Sequence, residues 1–316
     1  MLLIRNLDEV SPETLPGPLA LTIGVFDGLH RAHQVLIRKV REAAGRHKAS
    51  AAIFTFDNHP LSILAPAYCP KRLSSSDQMI ELLRALELHV AIIVPFTAQL
   101  AEIEPQQFLK EFLAERCRCR HVVAGFDFRF GRGGKGDAEL LRREGAALGI
   151  EVEIVEPQRE GSYTINSTRI RELLFEGNVE GARDLLGRPY QIESMVVRGH
   201  ARGAKIGFPT ANLYLPPDLV VPAPGVYAAR AILASGEAHP GMMNIGYQPT
   251  FGGTSLCPEI HLLGFKGDLY GSRLRVDFIA RLRDEKKFPS VEALKRQLAK
   301  DRRKTLEIFR SEIAPH

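Results

Sequence analysis

Two histidines three residues apart, His30 and His33, follow a glycine-containing turn between a predicted strand and a predicted helix. Residues 24–34 read GVFDGLHRAHQ. Backbone N–H groups at the start of a helix, aided by the helix dipole, favour a bound phosphate. Imidazoles held there can stabilise charge that develops on a phosphoryl group. Such a pair also arises by chance on protein surfaces, so these residues predict phosphate chemistry only together with the rest of the sequence.

A second candidate site lies in residues 197–212, which read VRGHARGAKIGFPTAN. Glycines allow a loop of this kind to wrap closely around the phosphates of a nucleotide. Pro209 fixes one backbone angle beside Thr210 and Asn212, whose side-chain oxygens can help to ligate magnesium. An ordinary β-turn that carries a polar Thr-x-Asn pair is the alternative that these three residues alone leave open.

Glu259 is a candidate general base at the start of a strand predicted at residues 258–265. Side chains alternate along a strand, so Glu259 and His261 share one face while Ile260 and Leu262 share the other. We expect Glu259 on the inner side of a small barrel, where partial desolvation would raise its pKa and suit proton abstraction. An exposed carboxylate at the strand end is the alternative. His261 is expected to be a residue of the barrel wall.

The first half of the chain alternates between apolar β-branched runs and helical patterns. Alternation of this kind builds a parallel sheet covered by helices on both faces, and ligands bind beyond the carboxyl ends of its strands. The predicted strands are residues 20–26, 51–56, 90–96, 121–125 and 151–155, and the predicted helices are residues 34–44, 77–88, 105–115 and 137–148.

After residue 160 the pattern changes to two short helices and then to strands separated by Gly- and Pro-rich turns. The predicted elements are helices at residues 167–176 and 178–186, strands at 191–198, 226–233, 240–246, 258–265 and 273–281, and a terminal amphipathic helix at 290–309. Consecutive strands without intervening helices predict a small antiparallel barrel or sandwich. Gly187 and Pro189 read as a helix stop and a linker, which places the domain boundary between residues 187 and 188.

The composition sets limits on function. A chain of 316 residues with 45% hydrophobic and 25% charged residues is typical of two globular domains. No secretory signal and no apolar run of membrane-spanning length is present, so we expect a cytoplasmic protein without membrane association. The net charge of +5 suits polyphosphate ligands and does not indicate nucleic-acid binding. The four cysteines lack the paired spacing of a zinc site.

Residues 24–34 closely resemble the nucleotide-binding signature of bacterial bifunctional riboflavin kinase/FAD synthetases. Further matches follow in the family's order at residues 55–60 (TFDNHP), 125–131 (GFDFRFG) and 166–171 (NSTRIR). The resemblance implies a Rossmann-like nucleotidylyltransferase domain over residues 1–187. It assigns ATP binding to Gly24, Phe26, Asp27, Gly28, His30, His33, Ser167, Thr168 and Arg169, and contacts with FMN or ribose to Asn58 and Asp127. Turn stabilisation by Asp127 and helix capping by Ser167 or Thr168 stay open as structural alternatives.

The later glycine loop and the GFPTAN run that follows it strongly resemble riboflavin kinase. The likeness continues through residues 225–227, 244–246, 249–251, 259–263 and 268–271. It implies a riboflavin kinase domain, a small antiparallel β-barrel with a terminal helix, over residues 188–316. The implied ATP-binding residues are Gly199, Gly203, Lys205, Gly207, Pro209, Thr210 and Asn212, of which Thr210 and Asn212 would also hold Mg²⁺. Glu259 would act on the ribityl hydroxyl of riboflavin.

The resemblance therefore implies an enzyme that phosphorylates riboflavin to FMN and adenylylates FMN to FAD and pyrophosphate, with ATP as the second substrate and His30 at its phosphates. One departure bears on the second activity: the family usually has glycine where this chain has Ala32. A riboflavin kinase with an impaired adenylyltransferase domain is therefore the first alternative. A non-catalytic flavin-binding regulatory protein is the more distant one. Nothing in the sequence indicates an oligomeric state.

Overall fold

The computed structural model describes residues 1–198, 203, 206–250 and 253–313. The chain packs into two compact units, Met1–Ser167 and Thr168–His316. Residues 168–187, which the sequence assigned to the first domain, therefore pack with the second unit. The functional domain boundary at 187/188 stays a prediction.

The first unit contains a six-stranded sheet in which every pairing is parallel. Its strands are β1 (Leu2–Ile4), β2 (Leu19–Ile23), β3 (Ser50–Phe56), β4 (Val90–Val94), β5 (His121–Gly125) and β6 (Glu151–Val155), in the order β1-β4-β3-β2-β5-β6. The predicted Rossmann-like parallel sheet is confirmed. Strand β2 pairs with β3 on one side and β5 on the other, so the strand order reverses there and opens a crevice at its carboxyl end.

Helices cover both faces of this sheet. They are α1 (Arg31–His47), α2 (Leu61–Leu64), α3 (Ser76–Ala85), α4 (Ala98–Ala101), α5 (Pro105–Gln107), which continues as a π-helix over Phe108–Arg116, and α6 (Ala138–Ala147). Short 3₁₀ turns lie at Leu7–Glu9, Pro66–Tyr68 and Arg132–Gly134, and a two-stranded hairpin, β7 (Arg159–Glu160) and β8 (Tyr163–Thr164), follows the sheet.

Alternate residues of the central strands enter two separate cores. Ile53 belongs to the core that includes α1 and α3, whereas its neighbour Phe54 belongs to the core that includes the π-helix. The ring centroids of Phe54 and Phe112 lie 4.9 Å apart. Because a buried parallel strand must be apolar on both faces, it gives the continuous apolar runs seen in the sequence.

The second unit starts with two short helices and closes into a six-stranded barrel. Its elements are α7 (Ser167–Phe175), α8 (Val179–Leu186), β9 (Tyr190–Val197), β10 (Ala211–Leu213), β11 (Gly225–Leu233), β12 (Ala238–Thr250), β13 (Gly253–Leu262), β14 (Arg273–Arg283) and the terminal α9 (Val291–Ile313). The order around the barrel is β10-β13-β12-β11-β14-β9. The predicted antiparallel barrel and terminal helix are confirmed, and strand β10 is an addition that its three residues were too few to indicate.

Aromatic side chains fill one end of the barrel. Tyr190, Tyr227 and Phe278 are all at most 2% exposed, and the rings of Tyr227 and Phe278 meet edge to face with centroids 5.4 Å apart. The Tyr190 hydroxyl donates to the Val220 carbonyl at 2.7 Å, which satisfies its buried polar group. This packing fills the barrel interior behind the outer faces of the strands.

Candidate active sites

A strained turn joins β2 to α1 at the carboxyl edge of the parallel sheet. Gly28 and Leu29 both have positive φ, at +80° and +43°. Glycine adopts this conformation easily, whereas for leucine it is uncommon. His30 then caps α1, because its Nδ1 accepts from the backbone N–H of His33 at 3.3 Å. The cap places the imidazole among the first N–H groups of the helix, where an anion is favoured.

The two imidazoles stack on each other. The ring centroids of His30 and His33 lie 3.5 Å apart at an interplanar angle of 19°, and His33 also contacts the Phe26 ring at 4.7 Å. Burial lowers the pKa of His33 well below its usual value, and the charge of His30 lowers it further. His33 is therefore neutral at neutral pH. Since Nδ1 of His30 accepts a hydrogen bond, a neutral His30 carries its proton on Nε2.

Asp27 holds the segment that precedes α3. Its carboxylate accepts from the backbone N–H of Leu73 at 2.9 and 3.0 Å and from that of Ser74 at 3.3 Å. The Ser74 hydroxyl in turn accepts from the N–H of Gly28 at 3.4 Å. These bonds tie the turn after β2 to residues distant in the sequence. The structure thus assigns the Asp27 carboxylate a positioning role.

Gly24, Phe26 and Ser167 form the rest of this turn. The N–H of Gly24 donates to the Phe54 carbonyl at 3.2 Å, and that of Phe26 donates to the Thr55 hydroxyl at 3.4 Å. Ser167, the last residue of the first unit, donates its hydroxyl to the Asp27 carbonyl at 3.0 Å. Gly24, Phe26 and Ser167 therefore meet at the turn that contains Asp27 and His30.

Thr168 and Arg169 belong to the second unit. Arg169 forms ion pairs with Glu172 of its own helix at 2.9 Å and with Glu176, directly after the helix, at 3.8 Å. Thr168 is exposed. The ATP-binding role of these two residues stays a prediction.

Asn58 and Asp127 lie after β3 and β5, on the edge where the turn lies, but their surroundings differ. The Asn58 amide accepts from the Phe96 N–H at 2.7 Å and donates to the Phe96 carbonyl at 3.1 Å, so it joins the ends of β3 and β4. Asp127 is exposed, and its carboxylate forms no hydrogen bond within the described part of the chain. Of the two, Asp127 presents its functional group to solvent.

A cleft opens at this edge, within the first unit. Its lining includes Phe26 after β2, Asp57 and Asn58 after β3, and Arg72 and Ser75 before α3. Sequence reasoning missed the last two residues. The signal was present in the S-x-x-Q run, since Ser75 and Gln78 form a capping box at the start of α3. A guanidinium beside a helix N-terminus makes this wall attractive to an anion.

The barrel carries a second cluster, built from side-chain oxygens. The Thr210 hydroxyl donates to the Glu259 carboxylate at 3.3 Å. Asn212 on β10 and Asn244 on β12 both lie directly opposite Glu259 on β13. Cross-strand partners share a face of the sheet, so Asn212, Asn244 and Glu259 form one polar patch beside Thr210.

This patch lies on the face of β13 opposite to the barrel interior. Ile260 is fully buried and Leu262 is 7% exposed, whereas Glu259 is half-buried. The expectation that Glu259 points into the barrel is wrong. The alternation along the strand was predicted correctly, but the apolar set, Ile260 and Leu262, fills the interior and so turns Glu259 outward.

Cys257 is a further residue of the patch that the sequence did not indicate. Its thiol donates to the Asn212 side-chain oxygen at 3.6 Å and lies 3.9 Å from the Glu259 carboxylate. Burial raises the pKa of Cys257, and the charge of Glu259 raises it further. The thiol therefore stays protonated and acts as a weak donor that orients the two oxygen ligands.

The approach to the patch is fixed by His261 and Gly203. The Nδ1 of His261 lies 2.6 Å from the Pro209 carbonyl, and its ring meets Phe208 edge to face. Gly203 accepts from the Phe208 N–H at 2.9 Å, and a Cβ there would lie 2.2 Å from the Phe208 carbonyl oxygen. No larger residue fits.

Three further residues of the predicted ATP loop remain. Gly207 has φ +86°, which favours glycine, while Gly199 and Lys205 lie outside the described residues. The described part of the loop is thus a tight structure closed over Gly203, with positions 203 and 207 suited only to glycine.

Comparison with known proteins assigns a family model to each part of the chain. The family model for FAD synthetase matches residues 13–169, and the model for riboflavin kinase matches residues 186–309. The described residues contain no helix that is both long enough and apolar enough to span a membrane.

Full-length relatives match both units together. A bifunctional riboflavin kinase/FMN adenylyltransferase of Escherichia coli K12 is 34% identical over 309 residues, 98% of each chain, and one of Listeria monocytogenes is 37% identical over 291 residues, 92% of each. A solved structure described as a macrolide-efflux protein from Streptococcus pneumoniae matches with a TM-score of 0.87 at 32% identity, over 96% of this chain and 98% of that one. The chain thus belongs to the bifunctional riboflavin kinase/FMN adenylyltransferase family.

Proposed function

We propose that the barrel unit transfers the terminal phosphoryl group of ATP to riboflavin, and that the parallel-sheet unit transfers an adenylyl group from a second ATP to FMN. The observation that carries the proposal is the contact between Glu259 and Thr210, with Asn212 opposite Glu259. A carboxylate beside two neutral oxygen ligands combines a proton acceptor with a place for a cation, which mere flavin binding does not require.

In the kinase reaction Glu259 accepts the proton of the terminal ribityl hydroxyl. The hydroxyl oxygen forms a bond to the γ-phosphorus as the bond from that phosphorus to the β,γ-bridging oxygen breaks, and ADP leaves. An alcohol is a poor nucleophile at neutral pH, so a positioned base contributes about 10²- to 10⁴-fold. Thr210 donates to the carboxylate and so holds it in one orientation.

The oxygen donors also fit Mg²⁺, the divalent ion that accompanies ATP. Thr210, Asn212 and Glu259 supply only hard oxygen ligands, which suit Mg²⁺ better than softer metals. Thr210 and Asn212 would hold it, and it would neutralise charge on the phosphates. The N–H groups of Ile206 and Phe208 donate to the Gly203 carbonyl, so the described part of the loop is held in a tight turn before Thr210.

In the adenylyl transfer no protein base is needed, because the attacking FMN phosphate is already ionised. One of its oxygens bonds to the α-phosphorus of ATP, and pyrophosphate leaves as the α,β-bridging bond breaks. Catalysis then consists of positioning and charge stabilisation. His30, with its proton on Nε2, donates to the phosphates, and the neutral ring of His33 contacts the nucleotide.

The remaining site residues position the flavin substrate and the turn. We assign Asp127, exposed after β5, to the ribose or the FMN, and Asn58 to the shape of the cleft wall. Arg72 and the N-terminus of α3 are suited to the phosphate of FMN. Asp27 keeps this wall attached to the His30 turn.

One assay decides between this proposal and the kinase-only alternative, which Ala32 motivates. Purified protein is incubated with magnesium ATP and riboflavin, and separately with magnesium ATP and FMN, and the flavins are separated by chromatography. Formation of FMN and then FAD supports both activities. FMN without FAD would show a kinase alone, and neither product would refute both reactions.

A further inference from the structure

Another polar cluster lies at the amino edge of the parallel sheet, opposite to the edge that carries the His30 turn. His47 is the last residue of α1, His121 is the first residue of β5 and Glu151 is the first residue of β6. His121 and Glu151 are cross-strand partners. Strand β5 has five residues, so its length separates this cluster from the His30 turn by roughly 16 Å. The two adenylylation histidines play no part in it.

The potential ligand atoms of this cluster are close together. Each of the three side chains offers one nitrogen or oxygen atom, and these three atoms lie within 4.8 Å of one another. His47 Nε2 is 3.2 Å from one Glu151 oxygen, and His121 Nδ1 is 3.6 Å from the other. Ligand atoms around a tetrahedral Zn²⁺ with bonds of about 2.0–2.2 Å lie roughly 3.3–3.6 Å apart. Each imidazole nitrogen therefore lies near this distance from one oxygen of the Glu151 carboxylate.

His121 is buried without the hydrogen bonds that its burial calls for. Its side chain is 1% exposed, and within the described residues neither ring nitrogen has a hydrogen-bond partner, nor does Nε2 of His47. A neutral ring has one nitrogen lone pair, which is repelled by a facing carboxylate. A cation between the two removes that repulsion.

The second nitrogen of His121 faces another carboxylate that is itself fixed. His121 Nε2 lies 3.6 Å from a Glu153 oxygen, and the Lys39 ammonium holds the other Glu153 oxygen at 2.5 Å. Metal-bound histidines commonly donate their remaining N–H to a carboxylate, which sets the tautomer and the ring orientation. Glu153 is therefore placed to direct the lone pair of His121 Nδ1 toward Glu151 and His47.

We propose that His47 Nε2, His121 Nδ1 and a carboxylate oxygen of Glu151 bind one divalent transition-metal ion, for which Zn²⁺ is the best fit. Two imidazole nitrogens and one carboxylate are a common Zn²⁺ ligand set, with water as the fourth ligand. The ion joins the C-terminal end of α1 to β5 and β6. It lies at the edge away from the cleft, so it takes no part in adenylyl transfer.

The first test is a zinc titration of the full-length chain after chelator treatment, followed by competition with a chromophoric chelator. We expect the His47→Ala variant to bind one zinc equivalent fewer than the wild type. The matched control is His239→Ala, which removes a histidine from another His–Glu pair, Glu237 and His239 at 2.8 Å, and should keep the wild-type stoichiometry. Equal binding by His47→Ala and wild type, or no zinc bound by wild type, would overturn the proposal.

Two further variants exclude a loss of fold as the cause. Glu151 is 61% exposed, so Glu151→Gln should keep the wild-type unfolding midpoint in the absence of zinc and should bind one zinc equivalent fewer than wild type.

Glu153→Gln leaves the three ligands in place and should weaken zinc binding by about 10- to 100-fold. Cobalt substitution gives an independent readout: tetrahedral visible bands in wild type, absent in His47→Ala. Wild-type affinity in Glu153→Gln would contradict coordination through Nδ1.

Discussion

At the carboxyl edge of the parallel sheet, His30 is held by the backbone of the helix that it caps, whereas on the barrel Glu259 is held by the side chain of Thr210, from the loop before β10. The first site combines backbone N–H groups and two imidazoles with the Asp27 carboxylate, and the second consists of oxygen atoms around a carboxylate. Both are suited to ATP, and the second places a proton acceptor directly beside neutral oxygen ligands for a hard cation.

The difference follows from the two nucleophiles. A phosphate ester is ionised at neutral pH and needs only a partner for the charge that develops on ATP. A primary alcohol must lose a proton, which calls for a carboxylate within hydrogen-bonding reach. The two halves of the chain can therefore be separated by substitutions that remove one kind of group and leave the other.

The largest effect is expected for Glu259→Gln. The amide keeps the size of the side chain and can still bond to Thr210, but it cannot accept the hydroxyl proton. We expect FMN formation from riboflavin to fall by about 10²- to 10⁴-fold, with FAD formation from FMN unchanged. Initial rates with each flavin measure both values. A wild-type rate of FMN formation would reject the base assignment.

His30 should show the reverse selectivity. His30→Ala removes the phosphate donor, and we expect FAD formation to fall by about 10²- to 10³-fold while FMN formation is unchanged. The alanine also removes the cap of α1, which costs about 1 kcal/mol.

His30→Asn is the matched control, because asparagine is a good N-cap but has no imidazole. Both variants should lose adenylyl transfer, and only the alanine variant should lose stability in urea unfolding. If asparagine restored FAD formation, His30 would act on the helix and not on the phosphates.

The sequence predicted most of the fold because most strands and helices are long enough to show a hydrophobic pattern. Five parallel strands were found from apolar runs, and the barrel from consecutive strands without helices. Strands β1 and β10 were missed because three residues give no period. The π-helix at Phe108–Arg116 was read as an ordinary helix, since both conformations bury apolar residues at similar spacing.

The candidate sites were predictable as motifs and less so as geometry. Glu259 and Thr210 were assigned to one site, and they are in contact. The face of Glu259 was not predictable, because alternation tells which residues share a face but not which face is buried. Cys257 carries no motif, and it reaches the patch only through the strand register.

The buried histidine of the first site should make that unit sensitive to acid. The pKa of His33 is lower in the folded protein than in the unfolded chain, where it is about 6.5. Below that pH the unfolded chain binds a proton that the folded protein does not bind. The free energy of unfolding therefore falls as the pH decreases, by at most about 1.4 kcal/mol per pH unit for one group.

Hydrogen exchange of the α1 amides, followed by mass spectrometry between about pH 7.5 and pH 5, measures this loss. His33→Gln, which does not titrate, should show a shallower dependence than wild type. Burial also lowers the pKa of His121, which gives a slope of the same sign in both proteins, so only the difference between them reports on His33. Equal slopes would contradict the assignment.

The smallest effect is expected for Ala32→Gly, which restores the glycine usual in the family. Ala32 is the second residue of α1 and has helical backbone, a conformation in which alanine is favoured over glycine by about 1 kcal/mol. We therefore expect kcat/KM for ATP in FAD formation to change by less than about tenfold, or 1.4 kcal/mol. Glu42→Gly, at an exposed position of the same helix, controls for the loss of helix propensity. A much larger gain in Ala32→Gly alone would mean that the alanine methyl crowds the nucleotide and that the natural chain is chiefly a riboflavin kinase.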